Sequence, residues 1–482
     1  MIPEVNIICT GMLDTKGEEI RFLANCVREN GANPVLLELS LGREVGWADI
    51  PLSEVLSSIG KISEDVYILS RVDAIDIVSQ AGVKKVLELY AQGKVDGIIS
   101  WAGSIGTMVA TNIMRALPLG VPKVMLSTAM NGDITRFIGL SDIYMSHPIS
   151  EKGINKFTKM IVGNGVAAVV SMAKWRCKEQ IEVKEENRRL SAITLYGVTT
   201  STAFRYAELM EQAGWDMLYF HQTGIGAAME DLIRQGQIES VFDLTPGEIA
   251  NNFFNSRSRN PENWKGERFT AAFDMGIPAI VAPGGMDASP FGAWEDLLEQ
   301  YKQEFKSGKR LSYKNSGKPF YHSASTLMLP TTLSETKMLC EYMVSKFNKA
   351  TGPALFIIPA KGWSAYDQSA AHATKDTGWS EGINGPTWIA DSRYLEWSAR
   401  SCILWDVLQH KMDTSNHNID AIMCDLHILD PEFANLAYEA MVDMLTKKWR
   451  PGFYRDRPYV CLPDMGSNLA VKVHDGLGSE NN

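Results

Sequence analysis

The sequence predicts an α/β protein: two Rossmann-like domains with mostly parallel sheets, facing each other across a cleft. Three observations carry that reading. Apolar strand-like runs alternate with helical stretches through most of the 482 residues, the pattern of parallel α/β folds. Several runs end in glycine and hydroxyl residues, the sequence form of a turn at the carboxyl edge of such a sheet. Charged residues concentrate at Lys174–Arg189, between two independent strand–helix series, and place a boundary there. The expected domains are 1–185 and 190–482.

In the first domain the strand candidates are Val5–Thr10, Pro34–Leu39, Val95–Ser100 and Lys123–Ser127. Helical periodicity covers Glu18–Glu29 and Asp76–Gln92, with Gly31 and Gly93 as C-terminal stops. Val162–Ala173 reads as a helix of small apolar residues. Thr15 and Glu18 have the spacing of a capping box, and Lys123 is expected at the solvated start of its strand. The second domain opens with Ala192–Gly197. Strands Met217–His221, Ser240–Leu244, Ala279–Ala282 and Ala354–Pro359 then each run into a polar turn. Two stretches break the rhythm and read as insertions or lids, a charged one near 296–318 and a glycine- and tryptophan-rich one near 372–397.

Bulk properties narrow the function. A formal net charge of −10 disfavours nucleic acid as a partner, since phosphate backbones need a basic face. The seven cysteines include no C-x-x-C pair, which points to reduced thiols rather than a zinc or disulfide framework. No apolar run approaches the roughly 20 residues of a membrane span, and no basic–apolar leader follows Met1. The expectation is a cytoplasmic protein that handles a small molecule.

The most informative segment is Trp101-Ala102-Gly103-Ser104-Ile105-Gly106-Thr107, where an apolar strand breaks at two glycines before a helix. Glycine permits close approach of the backbone to an anion, and the helix start adds its positive dipole end. A second strand-to-helix turn runs from Thr10 to Glu18 and contains Gly11, Asp14, Thr15 and Lys16. Two such turns on neighbouring parallel strands make one phosphate pocket. Gly103, Ser104, Gly106 and Thr107 are candidate phosphate donors, Lys16 a cationic contact and Asp14 a Mg²⁺ ligand. Ser127, Thr128, Gly132 and Asp133 follow another strand and are expected to complete the wall. No G-x-x-x-x-G-K-[ST] occurs, so the pocket is not a P-loop.

Seven of the eight histidines follow the boundary. His221 ends a strand and precedes Thr223-Gly224-Ile225-Gly226, whose amides suit a carboxylate or phosphate. His322 is expected in a small-residue loop. Both are candidate acids or bases, because the imidazole titrates near neutrality. Glu248, Asp287 and Lys361 occupy analogous positions after strands. Cys424-Asp425-Leu426-His427 lacks the second ligand pair of a closed metal site. Trp363, Trp379, Trp388, Trp397 and Trp405 are expected to pack in the core or a lid.

The stretches Gly11–Arg21, Gly103–Thr107, Leu117–Thr128, Ile138–Ile143, Gly153–Asn155, Gly197–Thr200, Phe220–Gly224, Asp243–Thr245 and Pro283–Asp287, with the His322 region, resemble one known family. It is an uncharacterised two-domain family similar to the ATP-binding N-terminal region of the tomato mosaic virus resistance protein. The resemblance implies two α/β domains, ATP in the first, and self-association into a homo-oligomer. It implies no particular reaction. The sequence departs from the family pattern at Trp101, Ala102 and Ile105, and the bulk of Trp101 and Ile105 is expected to narrow the pocket.

Three functions follow as expectations. The first is an ATP- and Mg²⁺-binding enzyme that acts on a small carboxylate- or phosphate-bearing metabolite by phosphoryl transfer or carboxylate activation. The second is an ATP-independent hydrolase or C–C lyase using the C-terminal histidines. The third is a non-enzymatic, nucleotide-gated binding protein.

Overall fold

A computed structural model describes residues 4–182, 188–259, 268–373 and 382–463, less residues 131, 133 and 151. Residues up to 182 form one compact unit and those from 188 onward a second. Of the Lys174–Arg189 stretch in which the sequence places the boundary, residues up to 182 continue the helix Lys156–Glu182 and 183–187 lie outside the described residues.

The first unit is built on five parallel strands, β1 (Asn6–Gly11), β2 (Asn33–Glu38), β3 (Gly97–Ala102), β4 (Lys123–Ser127) and β5 (Ile143–Ser146). Their order is β2-β1-β3-β4-β5. β3 and β4 are buried at every position, as expected of strands with helices on both faces. Ile8, Ile98 and Met125 face a core closed by the helices Arg71–Ala91 and Ser104–Ala116. Ile7, Cys9, Ile99, Val124 and Leu126 face the opposite core with the helices Leu13–Glu29 and Lys156–Glu182. Each such aliphatic burial stabilises the layer by about 1.5–3 kcal/mol.

Several expectations need correction here. β3 extends through Trp101 and Ala102, so both belong to the strand and not to the turn. The first helix begins at Leu13, which puts Thr15 inside it and removes the capping box; the Thr15 hydroxyl donates to the Met12 carbonyl. Lys123 is fully buried, not solvated. Its ammonium donates to the Pro118 and Val121 carbonyls and pairs with Asp142 at 2.6 Å. β5 was not legible as a strand, because it is only four residues long and none of them is fully buried.

The second unit carries β6 (Leu190–Leu195), β7 (Asp216–His221), β8 (Ser240–Asp243), β9 (Ala279–Val281), β10 (Ala288–Phe291), β11 (Phe320–Ser323), β12 (Thr326–Pro330), β13 (Ala354–Pro359), β14 (Ile419–Cys424) and β15 (Val460–Cys461). Seven of them form one sheet in the order β15-β14-β13-β9-β8-β6-β7. It is parallel except for β15.

The remaining three, β10-β12-β11, form a small antiparallel sheet that the sequence reading did not anticipate. The charged 296–318 stretch lies within this excursion, and its helix Glu299–Lys306 packs Tyr301 and Phe305 on Leu327 and Leu329 of β12. His322 is therefore on strand β11 and not in a loop. Trp363, Trp388 and Trp405 are buried, in line with core packing. Trp379 and the rest of 374–381 lie outside the described residues.

Candidate functional sites

In the first unit the strand order reverses between β1 and β3, so the two chains leave the sheet in opposite directions and open a crevice at their carboxyl ends. A cavity of about 640 Å³ occupies that position. Its polar end is made by Asp14, Thr15 and Lys16 after β1 and by Gly103, Ser104 and Gly106 after β3. The amides of Ser104, Ile105 and Gly106 open the helix Ser104–Ala116 and have no intrahelical acceptor. The next amide, of Thr107, is bonded to the Gly103 carbonyl.

Lys16 is 7 % exposed, and its Nζ has no hydrogen-bond partner among the described residues. The backbone at Lys16 leaves helical geometry, with φ −126° and ψ 25°. Nζ sits 6.0 Å from the centroid of the buried Trp101 ring. An amine held away from water with no acceptor is costly, by several kcal/mol when charged.

Asp14 is fixed from the loop after β2. Its amide donates to Ser40 Oγ and its Oδ2 accepts from the Gly42 amide at 2.9 Å, while Oδ1 is buried without a partner. Ser40 in turn donates to Glu38, a carboxyl raised above its usual range by burial.

The other expected residues are placed differently. Thr107 and Ser127 are buried, with hydroxyl oxygens 2.7 Å apart, and neither reaches the cavity. Gly11 is a strand glycine packed on Ile20. Thr128 and Gly132 do not line the cavity, and Asp133 lies outside the described residues. Trp101 points into the core, whereas Ala102 and Ile105 do line the wall. Gly106 is required by packing, since a Cβ there would lie 2.7 Å from that of Ala102. The sequence reading missed Arg71 and Lys152, two cations on the rim, and the apolar wall of Leu41, Val66 and Leu69. Neither cation sits in a motif, so only the fold reveals them.

The second unit has its own cavity, of about 600 Å³. Tyr196 and Gly197 after β6, His221 and Thr223 at the end of β7, and Asp287 after β9 meet Phe320 and His322 of β11 there, with Tyr366 from the loop after β13. His221 and His322 thus face one cavity. His322 Nδ1 is 2.7 Å from the Tyr366 hydroxyl, whose pKa is pushed up to about 12 by burial and by Asp287. His221 packs edge-on to Tyr196, and burial lowers its pKa. Asp287 is 1 % exposed, and its Oδ2 accepts from the Ser364 and Thr387 hydroxyls.

Two expected contributors are elsewhere. The Thr223–Gly226 turn is already occupied by this chain's own carboxylate: Glu248 Oε1 accepts from the Gly224 and Gly226 amides at 2.7 and 3.0 Å. The other oxygen pairs with Arg268, which also binds Glu230 and Asp243 in a buried cluster. Glu248 is thereby structural, and the turn is not an anion site. Lys361 pairs with Asp425 at 3.2 Å and does not line the cavity. Among the described residues no group of three or more His, Cys, Asp or Glu side chains is arranged to hold a metal.

Comparison with known proteins is consistent with this two-part architecture. Residues 5–178 match the N-terminal domain of an uncharacterised protein family, UPF0261, and residues 188–379 match its C-terminal domain. The chain belongs to that family. A family member from Clostridium tetani is 34% identical over 367 residues, covering 75% of this chain and 85% of that protein. One from Rhizobium meliloti is 30% identical over 441 residues, covering 91% and 98%. The ToMV resistance protein Tm-1 of Solanum lycopersicum is 27% identical over 461 residues, covering 92% of this chain but 56% of the tomato protein. No described helix is long and apolar enough to cross a membrane.

Proposed function

We propose that the protein is an ATP-dependent enzyme whose first unit binds Mg-ATP between β1 and β3 and whose second unit binds a small metabolite. The observation that carries the reading is Lys16. Lys16, whose Nζ is buried and partnerless, lines one cavity with Ser104, Ile105 and Gly106, whose amides open a helix and lack an intrahelical acceptor, and a phosphate would satisfy both at once. Arg71 and Lys152 supply further positive charge for a polyphosphate, and the Leu41, Val66 and Leu69 wall suits an apolar base face. The free Oδ1 of Asp14 is the group that would hold Mg²⁺, with phosphate oxygens and water as its other ligands. Bound there, the ion would neutralise charge on the phosphates.

In the second unit the His322–Tyr366 pair, His221 and Asp287 are the groups that would orient a substrate and move a proton. Phosphoryl transfer or ATP-driven activation is the reaction that couples the two ligands. Self-association and a cytoplasmic setting belong to the same proposal.

Nucleotide turnover tests it. The intact protein is incubated with Mg-ATP and fractionated metabolite pools, and ADP, AMP and phosphate are assayed. Release that depends on one pool supports the proposal. Absence of release in every pool, with no ATP retained on equilibrium dialysis, overturns it.

A further inference from the structure

The cavity of the second unit has the charge pattern of a site for a cation. Asp287 is nearly inaccessible yet lines the cavity, and it forms no ion pair among the described residues. Its one anchored oxygen is held by the Ser364 and Thr387 hydroxyls, which orient the carboxylate without neutralising it.

Behind it, Asp367 is also buried, and Arg400 lies 3.3 Å from that carboxylate. Burial and the neighbouring Asp287 push the Asp367 carboxyl up to about 7, and above that pH Arg400 answers only one of the two carboxylates. No lysine or arginine is among the described lining residues. Arg257 approaches β12 but donates to the Ser325 carbonyl and the Thr326 hydroxyl, and it does not line the cavity.

The walls add a second, independent feature. Tyr196, Phe320 and Tyr366 present aromatic surface, with Phe320 and Tyr366 ring centroids 5.4 Å apart, and Met328 adds apolar surface. Aromatic faces attract a desolvated cation through their quadrupole, and apolar walls remove the water that would otherwise screen the carboxylate. A carboxylate or phosphate ligand would meet the opposite: an uncompensated like charge and no cation to pair with. The turn that might have received it is already filled by Glu248.

We propose that this cavity takes a small ligand with a protonated amine on an apolar or aromatic body, Asp287 being the counter-ion and the tyrosine and phenylalanine rings the walls. This deepens the reading of the second unit as a metabolite site and rests on it. It replaces the anionic metabolite expected from sequence by a cationic one. His221 and the His322–Tyr366 pair are left to contact the rest of the ligand as hydrogen-bonding groups.

Three probes that share a phenethyl body decide the matter: phenethylamine, 2-phenylethanol and 3-phenylpropanoate. Their binding to the intact protein is measured by ligand-observed NMR, with Mg-ATP affinity measured separately on the same preparations. The amine should bind at least about tenfold more tightly than the acid, with the alcohol between them. Asp287→Asn should abolish that preference, and Met328→Lys, which brings an ammonium into the cavity, should reverse it. The second variant keeps the test open if the first does not fold. Equal or tighter binding of the acid, no binding of any probe, or a preference untouched in a folded variant would overturn the proposal. Loss of Mg-ATP binding with the amine preference intact would instead count against the ATP-dependent reading alone.

Discussion

The two units share a strand pattern and treat their glycine turns in opposite ways. In each, the second strand flanks the first on one side and the third follows on the other: β2-β1-β3-β4-β5 in one, β7-β6-β8-β9-β13 in the other. Each places a glycine-containing turn before a helix at that edge. In the first unit the turn's amides face a cavity and a buried lysine waits beside them. In the second the amides are taken by Glu248, which Arg268 holds in turn. The comparison teaches that a glycine turn shows where an anion fits, while the anion itself can be a side chain of the same chain.

Replacing one buried cation in each unit, Arg268 and Lys16, should sharpen the contrast most. Arg268→Met leaves Asp243 and Glu248 buried without a counter-charge and Glu230 with only Arg234, 3.8 Å away. It should cost about 3–5 kcal/mol in urea unfolding, or prevent folding. Lys16→Met removes a buried amine that has no partner, and should leave stability unchanged or raise it by about 1 kcal/mol. The same chemical change, cation to thioether, should thus act in opposite directions in the two units.

A smaller effect concerns His427, fully buried in the second unit. Its Nδ1 accepts from the Leu429 amide, so its Nε2–H donates to the Asp367 carbonyl and the ring is neutral. Burial and His372 push its pKa down to about 3, from the unperturbed 6.5. The unfolded state binds the proton more readily, so this contribution is present above pH 6.5 and is lost as the pH falls toward 3. Between pH 7 and 5 the loss should be about 2 kcal/mol. His427→Leu should flatten that part of the urea-stability profile; an unchanged slope would contradict the assignment.

The smallest effect is expected at Thr15. Its hydroxyl only returns to the Met12 carbonyl. Thr15→Ala should change folding stability by less than about 0.5 kcal/mol. A loss near 1 kcal/mol, measured by urea unfolding, would restore the capping role that the spacing with Glu18 suggests.

What was legible in the sequence was local. The runs at β1, β3 and β4 read as strands because strands covered on both faces are apolar throughout, and the two families of glycine turns followed from them. Lys16 and Asp14 stood out because they follow a strand, and His221 did for the same reason. Burial and partnership were not legible, because they come from distant residues. Glu248 reaches the Gly226 amide across 22 positions, and Asp14 is fixed by Gly42 across 28. Thr107 and Ser127 had the right residue type, yet they satisfy each other in the core. His322 was misplaced because the small polar residues around it resemble a loop, whereas pairing with β12 makes it a strand.

The most direct test of the contrast between the units is calorimetric titration of Mg-ATP into the intact protein and into Lys16→Met. Wild type should bind one nucleotide per chain, and the variant should bind about 10- to 100-fold more weakly while remaining at least as stable to urea. No binding by wild type, or equal affinity in a folded Lys16→Met protein, would contradict the assignment of the first unit's crevice as the nucleotide site.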